Sequence, residues 1–256
     1  MQNTKTYIDI LKDVKKEYLE DTRRNESWRC KNIITSMPFY ETKFYKDYYD
    51  YALHIYNKLK FSNILKFNTW KLAMIPSTEG FNNYDIWNKF TFKLNDIISS
   101  TWHIKQSHHY FKYEEYTGKS INDFDRIVEF GGGCGDMCKF IKQMGFDGEY
   151  IIIDLPEVHE IQKNNLISYY NIKFETNPIK GDENKRTLFM ATWSISETTL
   201  ELRNEIINTL QPNEYLIVYQ RQFENISNVK WFKDWKGYRE ELPWIVWDGG
   251  SEYILK

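Results

Sequence analysis

Apolar residues follow a helical rhythm in the first part of the chain and a mixed one beyond residue 100. Between residues 5 and 20, Tyr7, Leu11, Val14 and Tyr18 recur three or four positions apart with Lys and Asp between them, which places them on one face of a helix. Phe44, Tyr48, Ala52 and Tyr56 repeat that spacing inside a block dense in aromatics, where tyrosines serve equally as core packing or as a sugar platform. Pro76 to Gly80 and Asn82 to Asp85 interrupt with turn formers, and a helix-like stretch follows around residues 86–99.

Beyond residue 118 short apolar runs alternate with helical periods. The runs at 127–128, 150–153, 172–177, 188–192 and 215–219 are bounded by polar loops, and the periods fall at 137–144, 158–170 and 200–210. Short continuous runs fit strands buried on both faces, and strand–helix alternation builds a parallel sheet. Residues 231–238 predict an aromatic helix. Residues 244–247 and 252–255, separated by Asp248-Gly-Gly250, predict an antiparallel hairpin. The stretch from Gly118 to Asp125 is the natural division, giving a helical region over 1–118 and an α/β core over 119–256.

One junction in that core carries chemistry. The run Ile127-Val128 ends at Glu129, passes Phe130 and the glycines at 131, 132, 133 and 135, and opens into a helical period. Strand, glycine loop and helix start make backbone N–H groups available to a ligand. A dinucleotide loop requires G-x-G-x-x-G/A, but counting from Gly131 or Gly133 the sixth position is Asp136 or Cys138. A phosphate loop requires a terminal Gly-Lys-Ser/Thr, which is missing. The pattern that fits is acidic-x-G-x-G-x-G, with Glu129, Gly131, Gly133 and Gly135. The next apolar run ends in Asp154, nineteen residues after Gly135, where a carboxylate can accept hydrogen bonds from ribose hydroxyls.

Glu129-Phe-Gly-Gly-Gly-Cys-Gly135 resembles the first motif of the class I S-adenosylmethionine (SAM) dependent methyltransferases. With Ile153-Asp-Leu-Pro156 and Ser194-Ile-Ser-Glu197, residues 100 to 220 are similar to the sugar O-methyltransferase family of that class. Pro76-Ser-Thr-Glu-Gly80 matches part of a loop such proteins carry ahead of the core, and residues 1–70 take no part in the resemblance. The resemblance implies an α/β fold, a Rossmann-like class I methyltransferase sheet, mostly parallel with an antiparallel C-terminal hairpin; the helical periods ahead of it give a helical N-terminal region, expected on the acceptor side. The resemblance further implies SAM as cofactor, S-adenosylhomocysteine (SAH) as product, and a small-molecule or glycan acceptor with a sugar hydroxyl, a nucleotide-sugar included.

The loop residues Glu129, Phe130, Gly131, Gly132, Gly133 and Gly135 then hold the cofactor, with Glu129 near its methionine moiety. Asp154 would take the ribose, Leu155 the adenine, and Thr192 and Trp193 a place beside it. A neutral hydroxyl must lose its proton as it attacks, so a base is needed. His108, His109 and Glu197 are the candidates; His103 lies in the same segment, and Glu197 reads equally as a carboxylate at a helix start. Alternatives are an amine or non-sugar acceptor, or a non-catalytic binding subunit of the same fold. The failed fingerprint disfavours an NAD-dependent dehydrogenase.

Composition narrows the partners. Formal net charge is −2, so no global basic field draws the chain to nucleic acid. No apolar stretch approaches a membrane span, and the charged N-terminus does not read as a signal peptide, which points to a soluble, cytoplasmic protein. Three cysteines, Cys30, Cys134 and Cys138, lack paired metal-ligand spacing, and His103, His108 and His109 match no known metal pattern, so no metal site is expected.

Overall fold

The computed structural model describes residues 52–74, 91–94, 97–223, 225–233, 235, 238–241 and 251–256. The expected helix over 5–20, most of the aromatic block, the turns at Pro76–Gly80 and Asn82–Asp85, and the strand at 244–247 with its glycine turn lie outside them.

Residues 52–62 are helical (α1), and Asn63 then caps α2 (Ile64–Ala73) by accepting from the Lys66 N–H at 3.0 Å. The stretch expected as helix around 86–99 instead holds β1 (Thr91–Leu94) and β2 (Ile97–Ser100), paired antiparallel. The β-branched Thr91, Ile97 and Ile98 suit extended backbone better than helix, and this overrides the apparent period. The histidine segment forms the long helix α3 (Thr101–Thr117), closed by Gly118 at φ +67.

Strand–helix alternation follows as the pattern predicts. β3 (Arg126–Phe130), α4 (Asp136–Gln143), β4 (Glu149–Ile153), α5 (Pro156–Asn165), β5 (Ile172–Glu175), β6 (Thr187–Thr192), α6 (Leu200–Leu210) and β7 (Glu214–Gln220) alternate along the chain. The second crossover helix is shorter than its expected span of 158–170. Tyr170, which extended the apolar period, faces water, as does Ile167, and Asn171 turns the chain through a left-handed conformation into β5. A small pair, β8 (Gln222–Phe223) and β9 (Ile226–Ser227), leads into α7 (Asn228–Phe232). The helix expected over 231–238 thus ends at Phe232, and the last residue of that span, Tyr238, begins β10 (Tyr238–Glu241). β10 is the antiparallel partner of β11 (Ser251–Leu255).

The main sheet has seven strands in the order β10-β11-β7-β6-β3-β4-β5. Strands β3 to β7 run parallel, and β11 is antiparallel to β7. The fold is therefore a Rossmann-like, mostly parallel α/β sheet with an antiparallel hairpin at one edge. Period-two alternation assigns side chains to its two faces. Ile127, Tyr150, Ile152, Met190, Val218 and Tyr253 pack with Trp70, Phe111 and Phe140 of the helices on one side. Val128, Ile151, Phe189, Ile217 and Ile254 pack with Leu202, Ile206 and Phe232 on the other. The chain leaves β3 toward β4 and β5 on one side and continues through β6 and β7 on the other. Such a reversal opens a crevice at the carboxyl ends of the strands, here beyond Phe130 and Thr192.

Candidate functional site

Backbone geometry at the crevice begins with the glycine loop. Gly131, Gly133 and Gly135 have φ of +71, +54 and +84, a region closed to most side chains. The reasons differ by position. A Cβ on Gly131 would stand 2.3 Å from the Ser194 Cβ, so Gly131 is required by packing. A Cβ on Gly133 would meet nothing within 4 Å, so the loop offers open space there.

Asp154, half-buried beyond β4, ties the loop to the neighbouring strand end. Its Oδ2 accepts from the Gly133 N–H at 3.1 Å and from Gln162 Nε2 at 2.8 Å, and its Oδ1 accepts from the Leu155 N–H at 2.8 Å. Gln162 also donates to the Gly133 carbonyl at 2.9 Å, and Asn165 Nδ2 donates to the Cys134 carbonyl at 3.0 Å. Leu155 is buried and precedes Pro156, which starts α5. The loop is thus held by its backbone and by two amides of α5.

Glu129 lies beneath the loop, 3% exposed, and accepts from the Tyr150 hydroxyl at 2.9 Å. Burial drives its pKa up to about 8; the Tyr150 hydrogen bond opposes the rise, and the charges of Asp154 and Asp136 add to it. A buried group surrounded by like charges favours an incoming cation over a phosphate. Cys134 and Cys138 are buried free thiols, and burial, with the nearby carboxylates, pushes both well above the ordinary thiol value.

Across the crevice, β6 ends at half-buried Thr192, in register with Val218 of β7. Trp193 follows in a left-handed conformation at φ +67, uncommon for a bulky residue and characteristic of functional turns. Its N–H donates to the Val218 carbonyl at 2.7 Å, and its own carbonyl accepts from Ser196 Oγ at 2.5 Å. The Ser194 hydroxyl donates to the Phe130 carbonyl, so this segment abuts the glycine loop. Glu197 closes the 3-10 turn Ser194–Glu197 and accepts from Gln220 Nε2 at 3.2 Å. Thr199, not Glu197, caps α6.

The histidines of α3 are all buried. His109 packs edge-on against Trp193, with ring centroids 5.3 Å apart, and its Nδ1 lies 2.6 Å from the Tyr253 hydroxyl. Burial, followed by the Lys105 charge, holds its pKa well below the usual imidazole value. His108 is depressed by burial, His109 and Lys112. His103 spans from the Ala73 carbonyl, 2.6 Å from Nε2, toward Asp136 at 3.7 Å, and so braces the start of α4. Lys105 places its ammonium 3.5 Å from the centre of the Trp193 ring. The structure therefore gathers Glu129, Phe130, the four glycines, Asp154 and Leu155 at one loop. It joins Thr192, Trp193 and His109 to that end of the sheet, with Glu197 linked through Gln220.

Sequence reasoning missed Gln162, Asn165, Arg203 and Tyr253. Gln162 and Asn165 are three apart on α5 and interrupt its apolar face, the only local trace of their task. Fully buried Arg203 donates to the carbonyls of Ser196 and Thr198 and to Asn228 Oδ1, which fixes the segment carrying Glu197. Among the described residues, no group of three His, Cys, Asp or Glu is arranged to hold a metal, and no helix is long and apolar enough to cross a membrane.

No protein-family model and no curated protein matches the chain. Among solved structures, it is similar to a SAM-dependent methyltransferase from Aquifex aeolicus, at 14% identity and TM-score 0.40, over 60% of this chain and 97% of that one. It is likewise similar to an SAH-bound methyltransferase from Podospora anserina, at 13% identity and TM-score 0.39, over 60% of this chain and 78% of that one. The methyltransferase domain of bacterial CtHen1 is similar at 12% identity and TM-score 0.42, over 59% of this chain and 99% of that domain.

Proposed function

We propose that this chain is a SAM-dependent methyltransferase that methylates a hydroxyl of a sugar or glycan. The observation that carries the cofactor assignment is the pairing of Gly133 and Asp154. The Gly133 N–H meets the Asp154 carboxylate at 3.1 Å, yet the space where a Gly133 Cβ would stand is open. That gives an adenosyl group both a clear backbone surface and a carboxylate for its ribose. The Asp154 and Asp136 carboxylates beside buried Glu129 suit a ligand with an ammonium and a sulfonium better than a pyrophosphate.

When bound, SAM supplies an electrophilic methyl group, so the protein's task is to orient the acceptor and take its proton. In this reading Glu129 faces the methionine end, Asp154 the ribose and buried Leu155 the adenine, and Phe130, Thr192 and Trp193 form the crevice walls. His109, neutral at physiological pH because burial and Lys105 disfavour its charged form, supports the role of base on the acceptor side. Glu197 and His108 are the other candidates. The sugar hydroxyl rests on the Ser194-Ile-Ser-Glu197 and Ile153-Asp-Leu-Pro156 resemblance.

The test is transfer of a labelled methyl group from SAM to parallel panels of nucleotide-sugars, glycans and amines. Label in a sugar product is expected. Label confined to amines would overturn the acceptor class.

A further inference from the structure

The last strand contributes to the acceptor side through Tyr253. β11 runs antiparallel to β7, with Tyr253 opposite Val218, and Val218 in turn stands beside Thr192 at the end of β6. Tyr253 therefore projects into the layer between the sheet and α3 at the level of the crevice, where it meets His109 at 2.6 Å. His109 is fully buried, and its second ring nitrogen, Nε2, has no hydrogen-bond partner among the described residues. Buried polar atoms are nearly always paired, so an orphaned nitrogen one ring away from Trp193 calls for a ligand group. An unpaired buried N–H is rarer than an unpaired acceptor, which favours the tautomer with its proton on Nδ1 and its lone pair on Nε2.

We propose that Tyr253 is a positioning residue: its hydroxyl oxygen accepts from His109 Nδ1–H and so leaves the Nε2 lone pair to take the proton of the acceptor hydroxyl. This rests on the methyl-transfer reading. The proton leaves the acceptor oxygen and bonds to Nε2, the O–H electron pair stays on oxygen and would bond the methyl group as its C–S bond breaks and that pair stays on the sulfur of departing SAH, and the imidazolium keeps its Nδ1–H on Tyr253. Burial first, and then the Lys105 ammonium, which also lies over Trp193, hold the imidazole neutral before the reaction. Tyr219, on the opposite face of the sheet, donates to Glu252, whereas the Tyr253 hydroxyl meets His109 Nδ1.

The tautomer is read directly by nitrogen-15 NMR of histidine-labelled protein near neutral pH. His109 is expected as the Nδ1–H form, with Y253F shifting it toward the Nε2–H form that an unconstrained histidine side chain prefers. An Nε2–H His109 in the unaltered protein, or an Nδ1–H form untouched by Y253F, would overturn the proposal, and neither readout requires an acceptor. Calorimetry with SAH separates this from the larger reading: Y253F should bind SAH as the unaltered protein does. Failure of the unaltered protein to bind SAH would overturn the methyl-transfer reading while the NMR result still decides the pairing. In turnover assays, Y253F should lower kcat tenfold or more with KM for SAM unchanged, an effect that disappears when H109Q is already present. A loss in Y253F that persists undiminished on top of H109Q would assign Tyr253 a merely structural role.

Discussion

Gln162 holds Asp154 and the glycine loop together with one amide: its Nε2 donates to the Asp154 carboxylate at 2.8 Å and to the Gly133 carbonyl at 2.9 Å. Because Gln162 is fully buried, these bonds are shielded from water and have no ready substitute. Gln162→Ala should cost about 1–3 kcal/mol of stability and about a tenfold loss in SAH affinity, by freeing the loop from the ribose-facing acid. Thermal denaturation and calorimetry check the two effects, and unchanged affinity would mean that the loop keeps its shape without the amide.

Gly131 and Gly133 should respond differently to the same change. Gly131→Ala forces a Cβ to within 2.3 Å of Ser194 at positive φ, and about 3 kcal/mol or more of stability should be lost. Gly133→Ala meets no protein atom, so only the left-handed strain of about 1–2 kcal/mol applies, while SAH binding should collapse. Equal damage to folding from both, with SAH binding intact in Gly133→Ala, would move the ligand away from Gly133.

Glu129 should make stability fall as pH rises. Its folded pKa of about 8 stands above the ordinary 4.5, so between these values the folded state keeps a proton that the unfolded state has released. Protons favour folding in that window, and the penalty approaches about 1.4 kcal/mol per pH unit where the two states differ by one proton. Buried His108 and His109 act oppositely, since their depressed values favour folding as pH rises through the usual imidazole range. The comparison of the unaltered protein with Glu129→Gln isolates the carboxylate: melting temperatures measured from about pH 5 to 8 should fall more, or rise less, in the unaltered protein. Parallel curves would place Glu129 in a better solvated setting.

Arg203 fixes the turn that carries Glu197. Its guanidinium reaches the carbonyls of Ser196 and Thr198 and the side chain of Asn228 at 2.7 to 3.0 Å. Arg203→Lys keeps the charge but cannot span those acceptors, so it should lose about 2–4 kcal/mol, close to the loss in Arg203→Met. Rescue by lysine would show that charge, rather than the fork, holds the turn.

The parallel sheet was legible because its strands are short uninterrupted apolar runs, and the loop because Glu129, Gly131, Gly133, Gly135 and Asp154 are fixed by local backbone needs that show as spacing. Gln162, Arg203 and Tyr253 each make a contact across 25 or more residues of chain, to Gly133, Asn228 and His109, and no local pattern encodes those. Residues 91–100 were misread because an apolar stretch with aromatic members satisfies a helical period even where β-branched residues pair as strands. The end of α5 was overextended for the opposite reason, since Ile167 and Tyr170 are apolar but face water.

Calorimetric titration with SAH, using NADH as the control ligand, tests the central claim most directly. The account predicts micromolar binding of SAH, abolished in Gly133→Val, and no binding of NADH. Binding of NADH without SAH would contradict it.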